Sequence, residues 1–223
     1  MKQLLPLLLL LLIALISQSQ DKFVWPIKEL DTARDVTYLT SYEKDVILEI
    51  NKVRYNPAIY ARECMSWIAV FYEGKFLKLP GKEQILTNEG KKAFDDCMKA
   101  LAVAKPAPTL YPSGGMSKAC KLLVYDQEAT GKTGHKGAGN SQPTDRVKKF
   151  GTFEGTYAEN IQYGESEPAL TVIALLIDDG VKSRGHRETI LNPDFHYTGI
   201  AIGKHKTYGQ MCVCTYATNF HEN

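Results

Sequence analysis

Gly185-His186-Arg187-Glu188-Thr189-Ile190-Leu191-Asn192-Pro193-Asp194-Phe195-His196-Tyr197-Thr198-Gly199-Ile200-Ala201-Ile202-Gly203 carries three kinds of local instruction in one run. Asn192-Pro193-Asp194 is turn chemistry, with Phe195 as the core anchor behind it. From Tyr197 to Gly203 the chain is rich in β-branched and small apolar residues, and Gln210 to Thr218 repeats that character after a loop. The two segments read as strands of one hairpin.

Upstream the period changes. Thr40-Ser41-Tyr42-Glu43 has the spacing of a capping box, and Val46, Ile47, Ile50 and Val53 follow at helical intervals, which predicts a helix from about Ser41 to Arg54. Asn56-Pro57 starts a second helix with an Asn cap and Pro at its first position, and Ile59, Tyr60, Cys64, Trp67, Ile68 and Phe71 form its expected buried stripe. Thr87 or Asn88 is the expected cap of a third helix facing inward through Ala93, Phe94, Cys97, Met98 and Leu101. Met116, Cys120, Leu123, Val124 and Gln127 outline a fourth.

Gly131 to Asn140 reads as a loop, Pro143 opens a short helical stretch closed by Gly151, and Thr156 to Tyr163 is irregular or extended. Ser166 is the expected cap of a helix from Glu167 to about Asp179, buried because Ala169 to Ile177 is apolar on every face except Thr171. Helices first and strands last make an α+β domain.

Met1 to Gln20 has a basic start at Lys2, an apolar run from Leu7 to Ile16 and a polar end with Ser17 and Ser19, the layout of a secretory signal peptide cut after Ser19. The expected organisation is a signal peptide at 1–19, an extension at 20–40, a domain at 41–220 and a tail at 221–223. No second stretch approaches a membrane span, so the expected product is secreted, extracellular and without a transmembrane segment. With 27 basic and 25 acidic residues in 223, there is no electrostatic footprint for nucleic acid. Among Cys64, Cys97, Cys120, Cys212 and Cys214, one intramolecular disulfide is expected in an oxidising compartment. Cys212 and Cys214 share a strand face and are poorly placed to bond each other, whereas either could meet Cys97 or Cys120 on a helix.

Several motifs fail. Gly131-Lys132-Thr133 lacks the upstream glycine of a phosphate-binding loop, since position 126 is Asp126, and neither HExxH nor GxSxG occurs. What remains is His135 in Thr-Gly-His-Lys-Gly, His186 in Arg-Gly-His-Arg, Glu159 in Ala-Glu-Asn, and Asp178-Asp179. Imidazole and carboxylate suit zinc or another divalent cation, and proton transfer near neutral pH. His196, His205 and His221 are expected to be solvated.

Thr-Gly-His-Lys-Gly, Asp145-Arg146-Val147, Tyr157-Ala158-Glu159-Asn160-Ile161 and Gly185 to Phe195 followed by Thr198 to Gly203, with Asn51-Lys52-Val53-Arg54 and Asn56-Pro57 ahead of them, resemble the CAP superfamily, also called the SCP domain. The named branches of that superfamily are cysteine-rich secretory proteins, antigen 5 and pathogenesis-related 1. The resemblance is closest to its bacterial-like or protist branch.

It implies a three-layered α-β-α sandwich with a cleft holding two histidines and two acids, hence a metal set of His135, Glu159, Asp178 and His186 with zinc or another divalent cation. Asp178 is preferred to Asp179 because it lies nearer the helix face defined by Leu170, Ile173, Ala174 and Ile177. Asn160 is expected to fix backbone, Arg187 to pair with a carboxylate.

The resemblance implies a non-enzymatic extracellular module that binds a lipid-like small molecule or a protein surface, and Lys105 to Gly115, with Leu110 and Tyr111, is a candidate apolar docking segment. The alternative is a hydrolase using Ser183, His186 and Glu159, or a metal-bound water.

Overall fold

The computed structural model describes residues 22–223. The expected signal segment, 1–19, lies outside them. In chain order the helices are α1 (Ile27–Leu30), α2 (Ser41–Tyr55), α3 (Pro57–Tyr60), α4 (Lys91–Val103), α5 (Gly114–Thr130), α6 (Pro143–Val147), α7 (Pro168–Ile177) and α8 (Gly185–Leu191). The strands are β1 (Tyr72–Glu73), β2 (Phe76–Leu77), β3 (Ile85–Leu86), β4 (Tyr111–Pro112), β5 (Gly151–Tyr163), β6 (Tyr197–His205) and β7 (Gly209–Glu222).

The expected hairpin is the centre of the main sheet, whose order is β4-β6-β7-β5. β6 and β5 both pair antiparallel with β7, and the short β4 joins β6 in parallel. The segment expected to be irregular or extended around Glu159 is therefore a full edge strand, with one register shift between Glu154 and Tyr157.

Side chains of a strand alternate between faces, and that alternation sorts the core. Met211, Val213 and Ala217 face α5 and α6, while Cys212, Cys214 and Tyr216 face the cluster that includes α2, α4 and α7. This is the three-layered α-β-α sandwich. α5 lies flush on β6 because Gly199 and Gly203 have no side chains: a Cβ at Gly199 would come within 2.4 Å of Met116, and one at Gly203 within 2.3 Å of Val124.

The expected disulfide is not formed, and for Cys120 the same alternation is the reason. All five cysteines lie among the described residues and all are free. Cys120 packs on the opposite sheet face from Cys212 and Cys214, within 3.4 Å of Thr215 Oγ1. Cys212 Sγ and Cys214 Sγ are 3.6 Å apart on their common face, far beyond a bonding distance of about 2 Å.

The first helix keeps its capping box at Thr40 and Glu43, and Asn56 accepts from Ile59 N as expected. After Tyr60 the chain departs from the α period. Ala61–Met65 forms a π turn and Ser66–Phe71 a 3₁₀ turn. The wider turn moves the inward position from Cys64 to Met65, so Met65 and Ile68 are buried while Trp67 is 45% exposed.

Two other caps are corrected. The third helix begins at Lys91 behind Gly90, and Thr87 Oγ1 accepts from Gly90 N one turn earlier. α7 begins at Pro168 with Glu167 as its cap residue, because Pro fits the first helical position, and Ser166 makes no cap bond. Residues of the N-terminal extension pack on α2: Leu30, Ala33 and Leu39 are buried, and Asn51 Nδ2 donates to Leu30 O. β7 runs through His221 and Glu222, and Glu222 Oε1 accepts from Ser113 Oγ and Gly115 N at the start of α5.

Candidate functional site

Glu159 extends from the edge strand β5 toward α6, its side chain 2% exposed. One oxygen meets His135 Nδ1 at 3.0 Å and the other accepts from Arg146 Nη2 at 2.7 Å. An ionised carboxylate can only accept, so Nδ1 of His135 is the donor, and in the neutral ring Nε2 is the nitrogen with the lone pair. Arg146 does more than neutralise Glu159. Its Nη1 donates to His135 O at 3.0 Å and Ser141 O at 2.9 Å, which closes the glycine-rich loop from both sides. Gln127 Nε2 donates to Gly134 O, and Gly134 N donates to Tyr163 OH, so the residue before His135 is held as well.

The second histidine is fixed by backbone shape. Asp178 does not continue α7: it is the C-cap, left-handed at φ 55° and ψ 46°, so a helical wheel does not place it. Asp and Asn enter that region more readily than other non-glycine residues. The turn aims its carboxylate, 2% exposed, at His186, accepting from the backbone N at 2.9 Å and meeting Nδ1 at 2.6 Å. In the neutral ring Nε2 is again the nitrogen with the lone pair. Asp179 points elsewhere and accepts from Asn88 N and Glu89 N ahead of α4.

Three further residues hold α8 in place. Arg184, left-handed at φ 55°, donates to Asp178 O at 2.7 Å and to both oxygens of Glu89 at 2.6 and 2.8 Å. The Arg184 guanidinium, helped by Gly180 N, lowers the Glu89 carboxyl to about 2. Asn160 Nδ2 donates to His186 O at 3.1 Å. Arg54 is fully buried and donates to Pro108 O, Ile190 O, Asn192 O and Phe195 O, all within 2.8 Å, so it caps the C-terminus of α8. Desolvation without a carboxylate partner lowers its pKa to about 10.

The four candidate residues thus stand as two imidazole–carboxylate pairs. Glu159 and Asn160 are neighbours on β5, and the first serves the His135 pair while the second holds the helix of His186. Among the described residues no three His, Cys, Asp or Glu side chains converge on one metal position. All four carboxylate oxygens of Glu159 and Asp178 already accept, which leaves the two Nε2 atoms as the free donors. That set suits a cation that keeps water in its shell, with the carboxylates orienting imidazoles.

Ser183 is exposed and lies in an open depression of about 510 Å³ with Arg184 and Arg187. No hydrogen bond joins it to either histidine among the described residues. Arg187 pairs with Asp96 at 2.7 Å, and Asp194 N donates to Asn192 Oδ1 in the expected turn above a buried Phe195.

Two expectations fail here. His205 is 2% exposed, with Nε2 on Lys132 O at 3.0 Å and Nδ1 facing Thr207 N at 3.2 Å, because the β6–β7 turn folds it between Tyr163 and Tyr208. Leu110 is fully buried, since Asn51 holds its N–H and its carbonyl and carries it into the core, so the segment from Lys105 to Gly115 presents Tyr111 without Leu110.

Arg54 and Arg146 are the residues that sequence reading leaves without a role. The signal for Arg146 is its place beside Val147, on the inward side of a short helix; for Arg54 it is an arginine in line with a buried stripe.

Comparison with known proteins bears on the whole arrangement. The family described as CAP, the cysteine-rich secretory protein family, matches residues 49–216. "Uncharacterized protein YkwD" of Bacillus subtilis (strain 168) is 32% identical over 85 residues, which are 38% of this chain and 31% of that protein. The match thus spans about a third of the curated relative.

Among solved structures, an outer surface protein from Borrelia burgdorferi aligns at 20% identity and a TM-score of 0.39 over 48% of this chain and 76% of its own. An extracellular protein containing a SCP domain from Bacillus anthracis str. Ames aligns at 18% identity and a TM-score of 0.41, over 50% and 34%. The family match takes in α3 through β6 and most of β7, with both imidazole–carboxylate pairs and Arg54 inside it. The chain belongs to the CAP family.

Proposed function

We propose that this CAP domain is a secreted, extracellular and non-enzymatic binding module, in which His135 and His186 take zinc or another divalent cation through Nε2. With a cation held there, the surrounding face would be ordered for a protein partner or the apolar part of a lipid-like molecule. The observation that carries this reading is the pairing itself: each Nδ1 is engaged by a carboxylate 2% exposed, while the imidazoles are 48% and 25% exposed. A carboxylate behind the ring fixes the tautomer and raises the basicity of the free nitrogen. When bound, the cation would supply positive charge and exchangeable coordination positions. The chain's own residues supply orientation, with Glu159 and Asp178 holding the two rings.

A hydrolase reading has less support. A nucleophile needs a hydrogen bond to its base, and Ser183 makes none to either ring. Cys64 and Cys97 are pushed up to about 11 by burial, which keeps them as thiols at neutral pH.

Zinc titration by calorimetry tests the proposal. The wild-type chain is expected to bind one zinc with a Kd of about 1–100 μM, and the His135→Ala/His186→Ala double variant to lose that heat while remaining folded. Undiminished binding in the double variant would show that the cation sits elsewhere.

A further inference from the structure

Away from the histidine pairs, the meander of β1, β2 and β3 stands off from α7 and leaves a slot between them. Its walls include Leu77 and Ile85 from the meander, and Leu170, Ile173, Ala174 and Ile177 from α7. The last four make one face of the helix, and Leu170, Ile173 and Ile177 border the slot from within the main core cluster. The volume is about 130 Å³. An apolar cavity of about 150 Å³ is large enough to hold benzene and stays dry. The slot is therefore sized for one ring or a short branched alkyl group, and too small for a sterol.

Polar atoms gather at one end. Ile85, Ala174 and Glu165 also border an adjoining open space of about 570 Å³, which adds Lys82 and Glu83. Lys82 Nζ lies 3.2 Å from Glu165 Oε2 and 3.1 Å from Glu167 Oε1, so it already faces two carboxylates. Asp179, at the other rim, is committed to the backbone of Asn88 and Glu89. Glu83, Glu165 and Asp179 thus border the two spaces and Glu167 meets Lys82, four carboxylates against one ammonium. Glu165 is the acidic side chain of the slot with an oxygen to spare: it is 13% exposed, and its Oε1 has no protein donor among the described residues. An anionic head group would meet that oxygen with nothing to donate. A cationic one would supply what it lacks.

We propose that this slot binds a small primary amine carrying one aromatic ring or short branched alkyl tail, with the tail between the meander and α7 and the ammonium on Glu165. The two requirements are independent, since volume selects the tail and charge selects the head. None of the slot's residues belongs to the imidazole–carboxylate pairs, so the inference stands whether or not those pairs take a cation.

Calorimetry with phenethylamine, phenylethanol and phenylacetate tests it, run with a chelator present so that no divalent cation contributes. Phenethylamine is expected to bind saturably below about 1 mM, and phenylacetate, with the same ring and the opposite charge, at least about tenfold more weakly. Glu165→Gln should weaken the amine about tenfold and leave phenylethanol unchanged. Lys82→Gln, which removes the competing ammonium, should tighten it. Ala174→Phe, which fills the slot from α7, should abolish binding in a variant whose melting temperature remains close to wild type.

Equal or tighter binding of phenylacetate would overturn the charge argument, and full binding in the Ala174→Phe or Glu165→Gln variant would overturn the site. An absence of saturable phenethylamine binding would overturn the proposal outright.

Discussion

His135 and His186 each present an Nδ1 to a carboxylate that is 2% exposed, yet the two pairs are assembled by different means. The His135 pair is built from side chains of three elements: Glu159 on β5, Arg146 on α6 and a glycine-rich loop. The His186 pair is built from nine residues of consecutive chain, with three left-handed residues, Asp178, Gly180 and Arg184, bending the carboxylate back onto the start of α8. Behind each stands a buried arginine. Arg146 shares its charge with Glu159, whereas Arg54 directs all of its contacts to carbonyls. A pair made by tertiary contacts depends on charge balance. A pair made by local backbone depends on what holds the ends of its helix.

Removing Arg146 should have the largest effect. Arg146→Met strands Glu159 as a buried carboxylate and releases the carbonyls of His135 and Ser141, at a cost of about 3–5 kcal/mol in denaturant unfolding. Adding Glu159→Gln should recover part of that loss, and recovery in the double variant measures the coupling. Hydrogen exchange should rise across residues 131–141 and stay unchanged at 178–191.

Next in size is Arg54→Leu, which strands no charge but leaves four carbonyls without a donor, at a cost of about 2–4 kcal/mol. Arg54→Lys should recover little, because one ammonium cannot span the four acceptors that the planar guanidinium reaches. Here the exchange pattern should invert, loosening α8 and the turn at 192–195 and sparing the His135 loop. Equal loosening of both loops in either variant would erase the distinction.

The smallest effect is acid. The Glu89 carboxyl is lowered from 4.5 to about 2, principally by Arg184, which also holds Asp178 O. A depressed folded value contributes stability that is fully present above the unfolded value and is lost as pH falls through the folded one. Wild-type melting temperature should therefore decline between about pH 4.5 and 2, and Glu89→Gln should flatten that limb slightly, the pair being partly exposed and screened. The change should register at His186 in proton spectra before it registers at His135.

How much of this is legible in the sequence follows the same division. The capping box at Thr40 and Glu43, the Asn56-Pro57 start and the β6–β7 hairpin are written within a few residues, and the structure keeps them. The pairing of Asp178 rather than Asp179 with His186 is likewise local. A helical wheel picks the same residue for a different reason, since the helix ends one position before it and a left-handed cap aims the carboxylate.

The contacts of Arg54 join residues 54 to 141 positions apart, so no window of sequence contains them. The π turn at Ala61–Met65 gives no period of its own, and extending an α period across it puts Trp67 on the wrong side. Sheet order, likewise non-local, decides that Cys120 and Cys212 never meet: the parity of β7 is readable, but which layer lies on each side of it is not.

Those cysteines have one more consequence. With all five thiols free and four of them buried, no covalent loop limits the unfolded chain, and the usual stabilisation of about 2–4 kcal/mol from a cross-link is absent. Reductant has no bond to cut while the fold is closed, and the half-buried Cys64 is the thiol an oxidant can reach. Endurance against proteases rests on how seldom the sandwich opens and how slowly it does so, a matter of barrier height rather than of bonds.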